Sequence, residues 1–122
     1  MAKVVDTDIF IDFLRGKKAA VHFFEKERDV VFCAITESEL LCGEECSDHS
    51  VKERLLHFLG QFEKVPVDNP LVIVAADIRR ETGILLPDAI IAATALQKQI
   101  PLVSRNRKDF GRVPGLIVDI PY

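Results

Sequence analysis

The sequence contains no apolar run long enough to cross a membrane. Its longest apolar stretches, residues 71–76 and 89–96, fall far short of the roughly 20 residues that a transmembrane helix needs. The N-terminal residues also lack the uninterrupted apolar region of a secretory signal, because Asp6, Asp8 and Asp12 fall within it. We therefore expect a cytoplasmic protein with no membrane partner.

Cysteine is scarce, with three residues at positions 33, 42 and 46. An odd number of cysteines in a chain without a secretory signal argues against a disulfide framework. Cys42, Cys46 and His49 are spaced so that they could meet near one helix end, but a zinc site there would lack an evident fourth ligand. We interpret these cysteines as buried or idle thiols.

The chain also lacks the excess of positive charge that is typical of nucleic-acid-binding domains, since its net charge is −3. The distribution of charge is more informative. Four cations and one acid lie between residues 104 and 112, and a second basic group spans residues 15–18. These groups are either solvated loops or a rim that contacts phosphates around an acidic centre.

A length of 122 residues with 48% hydrophobic residues predicts one globular domain, residues 1–122. Short β-branched runs at residues 4–5, 30–33, 100–103 and 116–118 predict strands, and residues 65–67 predict a brief extended connection. Helical patterns lie between them, at residues 9–14, 19–26, 50–62, 70–82 and 87–96, with another helix beginning near Thr36 and with Thr7 as the cap of the first. In the helix at 70–82 the expected core face is Val72, Ile73, Ala75 and Ala76. The alternation predicts an α/β fold.

Acidic residues recur where strands end and helices begin. Asp6 and Asp8 follow the first strand, and Asp88 is the sole charge in residues 85–96, beside Pro87. Ligands of parallel α/β sheets bind outside the carboxyl ends of the strands. We therefore take Asp6, Glu39 and Asp88 as candidate site residues, with Asp8, Asn106 and Asp109 as further members.

Glu39 admits two interpretations. It lies three residues after Thr36, so the pair fits a capping box in which the glutamate only binds the backbone at the start of a helix. Alternatively, it is an acid placed near a strand end, as Asp6 is. Oxygen ligands without His or Cys favour Mg²⁺ or Mn²⁺, and such sites commonly serve phosphoryl transfer or phosphodiester hydrolysis.

Four segments in order, spread over nearly the whole chain, carry a family resemblance: VVDTD at 4–8, ITESELLCG at 35–43, LPDAIIAATA at 86–95 and VSRNRKDF at 103–110. With them the chain resembles the PIN-domain ribonucleases, and more narrowly the VapC-type toxins of toxin-antitoxin pairs. The resemblance implies a three-layer α/β/α sandwich with a central parallel sheet and an acidic pocket at its carboxyl edge.

On the matching positions, the resemblance implies that Asp6, Glu39 and Asp88 are metal-binding carboxylates. The fourth acidic position is open: Asn106 stands where many relatives carry an acid, so either Asp109 substitutes or Asn106 holds a water. Ser104 replaces the commoner threonine and keeps the hydroxyl. Thr7 would orient the first carboxylate, and Asp8 occupies a place often filled by a small polar residue.

The implied activity is Mg²⁺- or Mn²⁺-dependent endonucleolytic cleavage of single-stranded RNA, in which activated water attacks the phosphorus in line. Arg15, Arg105, Arg107 and Lys108 are the candidates for contacts with the RNA backbone. The family further implies a homodimer and an antitoxin whose tail covers the active groove. The main alternative is a PIN-like module that binds protein or RNA without catalysis. A response-regulator receiver and a haloacid-dehalogenase phosphatase are disfavoured, because the lysine that each requires is not in place.

Overall fold

The computed structural model describes residues 1–122, which form a five-stranded, wholly parallel sheet between two layers of helices. The strands are β1 Lys3–Val5, β2 Val30–Cys33, β3 Glu63–Val65, β4 Leu102–Val103 and β5 Val118–Asp119. Their order across the sheet is β3-β2-β1-β4-β5. The predicted three-layer α/β/α architecture is confirmed.

Seven α-helices surround the sheet: α1 Thr7–Leu14, α2 Lys18–Lys26, α3 Ala34–Leu41, α4 His49–Leu59, α5 Asn69–Thr82, α6 Leu86–Lys98 and α7 Arg107–Phe110. A short 3₁₀ helix, Glu44–Ser47, precedes α4. None of the helices combines the length and the apolar character that a membrane-spanning segment requires.

The two faces of the sheet carry different cores. Alternate strand residues point to opposite faces, so Val4 packs with α5 and α6 while Val5 packs with α1 and α4. The first face is rich in small side chains, with Ala89, Ala92, Ala93 and Ala95 of α6 all buried. The second face is aromatic, and the centroid of each ring lies within 6.3 Å of the centroid of another. The rings belong to Phe10, Phe13, Phe23, Phe24, Phe32, Phe58 and Phe62. Burial on both faces holds the ends of the strands in fixed positions.

Two predicted helix starts are wrong. Asp6, not Thr7, is the cap of α1, because the Asp6 side chain accepts a hydrogen bond from the Thr7 amide. Helix α3 begins at Ala34, directly after β2, so Thr36 lies inside the helix. The capping-box interpretation of Glu39 is therefore wrong, since Thr36 is not at the start of the helix.

The predicted core face of α5 is also largely wrong. Val72 and Ile73 are 42% and 64% exposed, and the helix buries Leu71, Ala75 and Ile78 instead. Four positions along the chain separate Leu71 from Ala75 and three separate Ala75 from Ile78, which is the helical period displaced by one residue from the prediction. The extended segment expected at 65–67 lies slightly earlier, as β3, and the basic turn after Asn106 forms α7.

Candidate active site

The site lies where the winding of the sheet changes direction. From β1 the chain passes to β2 and β3 on one side, and it then crosses to β4 and β5 on the other. Neighbouring strands at such a point leave a crevice outside their carboxyl ends. Val5 is in register with Val103 at the ends of β1 and β4. Asp6 and Ser104, which directly follow these two strands, therefore face each other at that crevice.

Asp6 is buried and both of its oxygens are held. Oδ1 accepts a hydrogen bond of 2.8 Å from the Thr7 amide, and Oδ2 accepts one of 2.7 Å from the Ser104 hydroxyl. The Ser104 oxygen in turn accepts a hydrogen bond of 2.9 Å from the Asn106 amide. The Ser104 hydroxyl is therefore oriented by its neighbour, and the Asp6 carboxylate is fixed at the edge of the sheet.

Glu39 is connected to this edge through hydroxyl groups. The Thr7 hydroxyl donates to Glu39 Oε1 at 2.7 Å and lies 2.9 Å from the hydroxyl of Thr36. Because the Thr7 hydroxyl gives its only proton to Glu39, the Thr36 hydroxyl must be the donor in the bond between the two threonines. Thr36 is fully buried. Sequence reasoning missed this role because it assigned Thr36 to the helix cap; the signal that marked it was its place three residues before Glu39.

Asp8 lies beside Asp6 with one oxygen engaged. Its Oδ2 accepts a hydrogen bond of 3.0 Å from the Arg105 backbone amide and lies 3.4 Å from the Ser104 hydroxyl oxygen, whose proton is donated to Asp6. Its Oδ1 is buried and has no hydrogen-bond partner. A buried carboxylate oxygen without a partner is costly, so this oxygen has the capacity to bind a cation.

Asp88 is half-buried in the first turn of α6, close enough to the other acids for the charges of Glu39, Asp109 and Asp8 to affect its pKa. Asn106 and Asp109 are joined in both directions. The Asn106 side chain accepts from the Asp109 amide at 3.1 Å and donates to the Asp109 carboxylate at 3.0 Å. The Asn106 side chain is thus engaged in capping α7, and it orients Asp109.

The carboxylates of this acidic pocket, Asp6, Asp8, Glu39, Asp88 and Asp109, repel one another. Burial and then the charge of Asp8 raise the pKa of Asp6 well above its ordinary value, against the hydrogen bond from Ser104. Burial raises the pKa of Asp8, and burial followed by the charge of Glu39 raises that of Asp88. Only Asp109 has an ion-pair partner within 4.0 Å, Arg112 at 3.5 Å.

The donor chemistry fits a hard divalent cation. All the donors are carboxylate oxygens, and one of them is buried without a partner. A cation would offset the burial and the mutual repulsion that together raise the pKa values of Asp6 and Asp88. As oriented, no three His, Cys, Asp or Glu side chains lie close enough together to hold an ion. Asp88 is half-buried, so its side chain can rotate toward the other acids, whereas Asp6 and Glu39 are held by hydrogen bonds from Ser104 and Thr7.

The predicted basic residues fall into two groups. Arg15, Arg107 and Lys108 are exposed and none has an ion-pair partner within 4.0 Å. Arg105, in contrast, pairs with Asp12, its Nε lying 2.7 Å from Asp12 Oδ2. Sequence reasoning did not assign Asp12 any role at the site. The cysteines form no candidate zinc site. Cys42 is exposed, Cys46 contacts the Leu40 carbonyl, and neither belongs to a group of three side chains that could hold a metal ion.

Comparison with known proteins identifies the class to which this fold and pocket belong. The family model described as "PIN domain" matches residues 3–116, nearly the whole chain. The chain therefore belongs to the PIN-domain family.

Named relatives narrow the comparison. Ribonuclease VapC1 of Methanocaldococcus jannaschii is 31% identical over 115 residues, which cover 90% of this chain and 79% of the relative. Ribonuclease VapC of Rickettsia bellii is 30% identical, over 97% of this chain and 95% of the relative. A solved toxin-antitoxin complex from Klebsiella pneumoniae contains a chain with 30% identity and a TM-score of 0.86, covering 99% of this chain and 98% of that one. The resemblance to VapC-type PIN-domain proteins is confirmed.

Proposed function

We propose that this protein is a divalent-metal-dependent endoribonuclease that cleaves single-stranded RNA, and that it is the toxin of a VapBC-type toxin-antitoxin pair. The observation that carries the proposal is the acidic pocket, which has a buried, unpartnered oxygen on Asp8 and no ion pair to Asp6, Asp8, Glu39 or Asp88. The names of the VapC relatives supply the substrate class. RNA is met in the cytoplasm, where we propose that the protein acts.

In this proposal Asp6, Glu39 and Asp88 hold Mg²⁺ or Mn²⁺, with the unpartnered Asp8 Oδ1 as a supporting oxygen and Asp109 as the fourth acid. The bound cation would neutralise charge on the scissile phosphate and make water a better nucleophile. We assign the fourth position to Asp109 rather than Asn106, because the Asn106 side-chain oxygen already caps α7 and its side-chain nitrogen already donates to the Asp109 carboxylate.

The surrounding residues position the acids. Ser104 fixes Asp6, the Thr36–Thr7 pair fixes Glu39, and the exposed Arg107 and Lys108 lie on α7 at the rim, available to RNA phosphates. Water attacks the phosphorus in line, the bond to the 3′-oxygen breaks, and the products carry a 5′-phosphate and a 3′-hydroxyl.

The test is RNA cleavage by the purified protein, freed of any antitoxin, with Mg²⁺ or Mn²⁺ and a mixed single-stranded RNA pool. Asp6→Asn and Asp88→Asn keep the size of the side chain and remove one charge each. Asp77→Asn is the matched control, because Asp77 is an exposed acid on α5 that pairs only with Arg80. We expect cleavage by the wild type and the control, and none by the two site variants or in EDTA.

Cleavage that survives both substitutions and EDTA would contradict the metal-nuclease mechanism. The observation that favours the alternative, a binding module without catalysis, is that no three acidic side chains converge as they are oriented. An inert wild type that still binds RNA, with binding unchanged in Asp88→Asn, would establish that alternative.

A groove beside the acidic pocket supports an antitoxin partner. It has a volume of about 630 Å³, is mostly apolar, and lies between α1 and α4. Glu39 and Arg15 lie at its border, so a segment filling the groove would end close to the acids. We propose that an amphipathic helix of the antitoxin occupies it and that an antitoxin arginine reaches the carboxylates.

Val51→Glu places a charge in this groove, and Ile117→Glu places one at an exposed apolar residue outside it. Co-purification with the antitoxin is expected to fail for Val51→Glu alone. Equal retention of the antitoxin by both variants would place the partner on another surface.

We propose that a homodimer forms through apolar side chains that are exposed on α5 and at the start of α6. Ile73 of α5 is 64% exposed, Leu85 is 68% exposed, and Leu86 at the start of α6 is 50% exposed. Such side chains mark association surfaces when they are grouped. Sedimentation is expected to show a dimer that Ile73→Glu dissociates and Ile117→Glu does not; a wild-type monomer would refute the dimer.

A further inference from the structure

Asp12 gathers an unusual number of partners for a carboxylate outside the acidic pocket. Its Oδ1 accepts a hydrogen bond of 3.2 Å from Arg105 Nη2, and its Oδ2 lies 2.7 Å from Arg105 Nε. The Tyr122 hydroxyl donates to Oδ2 at 2.8 Å. Lys17 adds a charge 3.8 Å from Oδ2 and lies 4.9 Å from the centre of the Tyr122 ring. We call these four residues the Asp12 cluster.

The contact between Arg105 and Asp12 is a two-pronged one. Two donors of the planar guanidinium meet the two oxygens of one carboxylate, which fixes direction as well as distance. Asp12 is buried, so the pair is shielded from water on the Asp12 side. The side chain of Arg105 is therefore held in one orientation.

The backbone of Arg105 makes a second contact, and it points into the acidic pocket. Its amide donates to Asp8 Oδ2 at 3.0 Å, while the residue before it, Ser104, donates to Asp6. Asp8 and Asp12 lie four residues apart, on the same face of α1. One residue thus bridges them, with its side chain on Asp12 and its amide on Asp8.

The orientation of Asp8 depends on this bridge. The amide of Arg105 holds Oδ2, and the rigid carboxylate plane then determines where the unpartnered Oδ1 points. The segment that carries the amide follows the two-residue strand β4, and its backbone is held by hydrogen bonds from the Ser104 amide to the Asp119 carbonyl and from the Arg107 amide to the Arg105 carbonyl. The fork to Asp12 adds the restraint on the Arg105 side chain itself.

We infer that Asp12 is a positioning residue for the metal site: by holding Arg105 and Tyr122, it fixes the Arg105 amide and, through that amide, the free oxygen of Asp8. This inference rests on the proposed function, because it concerns affinity for a divalent cation. Asp12 itself touches neither the cation nor RNA.

The first measurement is titration of Mg²⁺ alone into the full-length protein by calorimetry, with no RNA present. Removing a partner that orients a metal ligand typically costs about 10–100-fold in affinity, and Asp12 acts through one intervening residue, so we expect about a tenfold higher Kd for Asp12→Asn. Tyr122→Phe removes one hydroxyl and is expected to raise the Kd by less. Asp77→Asn breaks the exposed Asp77–Arg80 pair and is expected to leave the Kd unchanged.

The second measurement is the amide resonance of Arg105 and its hydrogen-exchange rate in the metal-free protein. A purely structural role for Asp12 would alter exchange throughout the protein in proportion to its loss of stability. The positioning role predicts a change at Arg105 that exceeds the global one, in Asp12→Asn and, more weakly, in Tyr122→Phe. If Asp12→Asn does not fold, Tyr122→Phe decides the question by the same comparison.

The outcomes separate the two proposals. An Arg105 amide that shifts in Asp12→Asn beyond the global change supports the positioning role, and an amide that does not shift overturns it. A wild type that binds no Mg²⁺ refutes the proposed function, and the Arg105 amide then decides alone whether Asp12 orients the Asp8 carboxylate.

Discussion

The Asp12 cluster and the acidic pocket meet at α1, where Asp8 and Asp12 lie one helical turn apart, and the protein treats the carboxylates of these two groups in opposite ways. Asp12 is surrounded by Arg105, Lys17 and Tyr122, whereas Asp6 and Asp8 face further acids and have no ion-pair partner. Burial opposes ionisation of Asp12, but the bonds from Tyr122 and Arg105 more than offset it, and the pKa of Asp12 is lowered. At Asp6 and Asp8 burial prevails and the pKa is raised.

The contrast separates a group that stabilises the fold from a group that is kept for a ligand. Cations can neutralise a carboxylate in this segment of the chain, since Arg105 and Lys17 do so for Asp12. Leaving Asp6 and Asp8 without them costs stability, and such strained groups persist where function requires them. The predictions below test this division.

The largest expected effect is on cleavage. Asp6→Asn removes a proposed metal ligand and is expected to lower the rate by more than about 100-fold, beyond the range for residues that only orient a ligand. Asp12→Asn is expected to lower it by about tenfold, with kcat affected more than KM, because it alters only the orientation of Asp8. Initial rates on one RNA substrate, with saturating Mg²⁺, measure both; equal losses would abolish the distinction between the two groups.

Removing the hydroxyl groups of the acidic pocket should have an intermediate effect. Ser104→Ala deletes the donor to Asp6, and the expected loss of activity is about 10-fold or more. Thr36→Val keeps the shape of a buried side chain and removes its bond to Thr7, so its expected loss is smaller, a few-fold on the same scale. Metal titration of both variants provides a reading independent of cleavage, and an unaffected Ser104→Ala would show that Thr7 alone suffices to hold Asp6.

Stability should change in opposite directions in the two groups. Asp12→Asn is expected to destabilise the protein by about 1–2 kcal/mol, less than the cost of breaking a fully buried pair, because Arg105 and Lys17 are 41% and 47% exposed. Asp6→Asn removes a repelled charge and keeps a residue that caps helices well, so it should not destabilise the metal-free protein. Urea unfolding in EDTA measures both, and a clear loss of stability in Asp6→Asn would show that its charge is compensated after all.

Sequence patterns were sufficient for four of the five strands and for the presence of acids where strands end, because both depend on local features. Short β-branched runs mark those four strands, and an isolated acid such as Asp88 stands out among apolar neighbours, whereas β3, Glu63–Val65, has no such run and was predicted only as an extended connection. The exposed face of α5 was missed because Val72 and Ile73 are as apolar as the residues that the helix buries. Burial there depends on how α5 meets α6, which the sequence does not express locally.

The connections within the pocket could not be predicted, because they join residues far apart in the chain. Tyr122 and Asp12 are separated by 110 positions, and Ser104 and Asp6 by 98. The parallel pairing of β1 with β4 brings Ser104 to Asp6, and the further pairing of β4 with β5 brings Tyr122 to Asp12. The RNA-contact role of Arg105 was predicted from its charge alone, and its pairing with Asp12 could not be foreseen.

The smallest expected effect is on the pH dependence of stability in the metal-free protein. Asp6, Asp8 and Asp88 have raised pKa values when folded, so their contribution is present in full below the ordinary value of 3.8 and is lost as the pH rises through the raised values. Asp12 has a lowered pKa, so its contribution is present above 3.8 and is lost as the pH falls through the lowered value.

Acidification from pH 7 should therefore first raise the melting temperature, because the carboxylates of the acidic pocket take up protons. Below pH 3.8 the melting temperature should fall, because Asp12 then takes up a proton. The double variant Asp6→Asn/Asp88→Asn should lose the rise and keep the fall, while Tyr122→Phe should shift the fall to higher pH. Added Mg²⁺ should also suppress the rise, because the cation favours the ionised carboxylates. A rise of equal size in the wild type and the double variant would mean that other groups take up the protons, and the contrast between the two groups of carboxylates would then lack its thermodynamic basis.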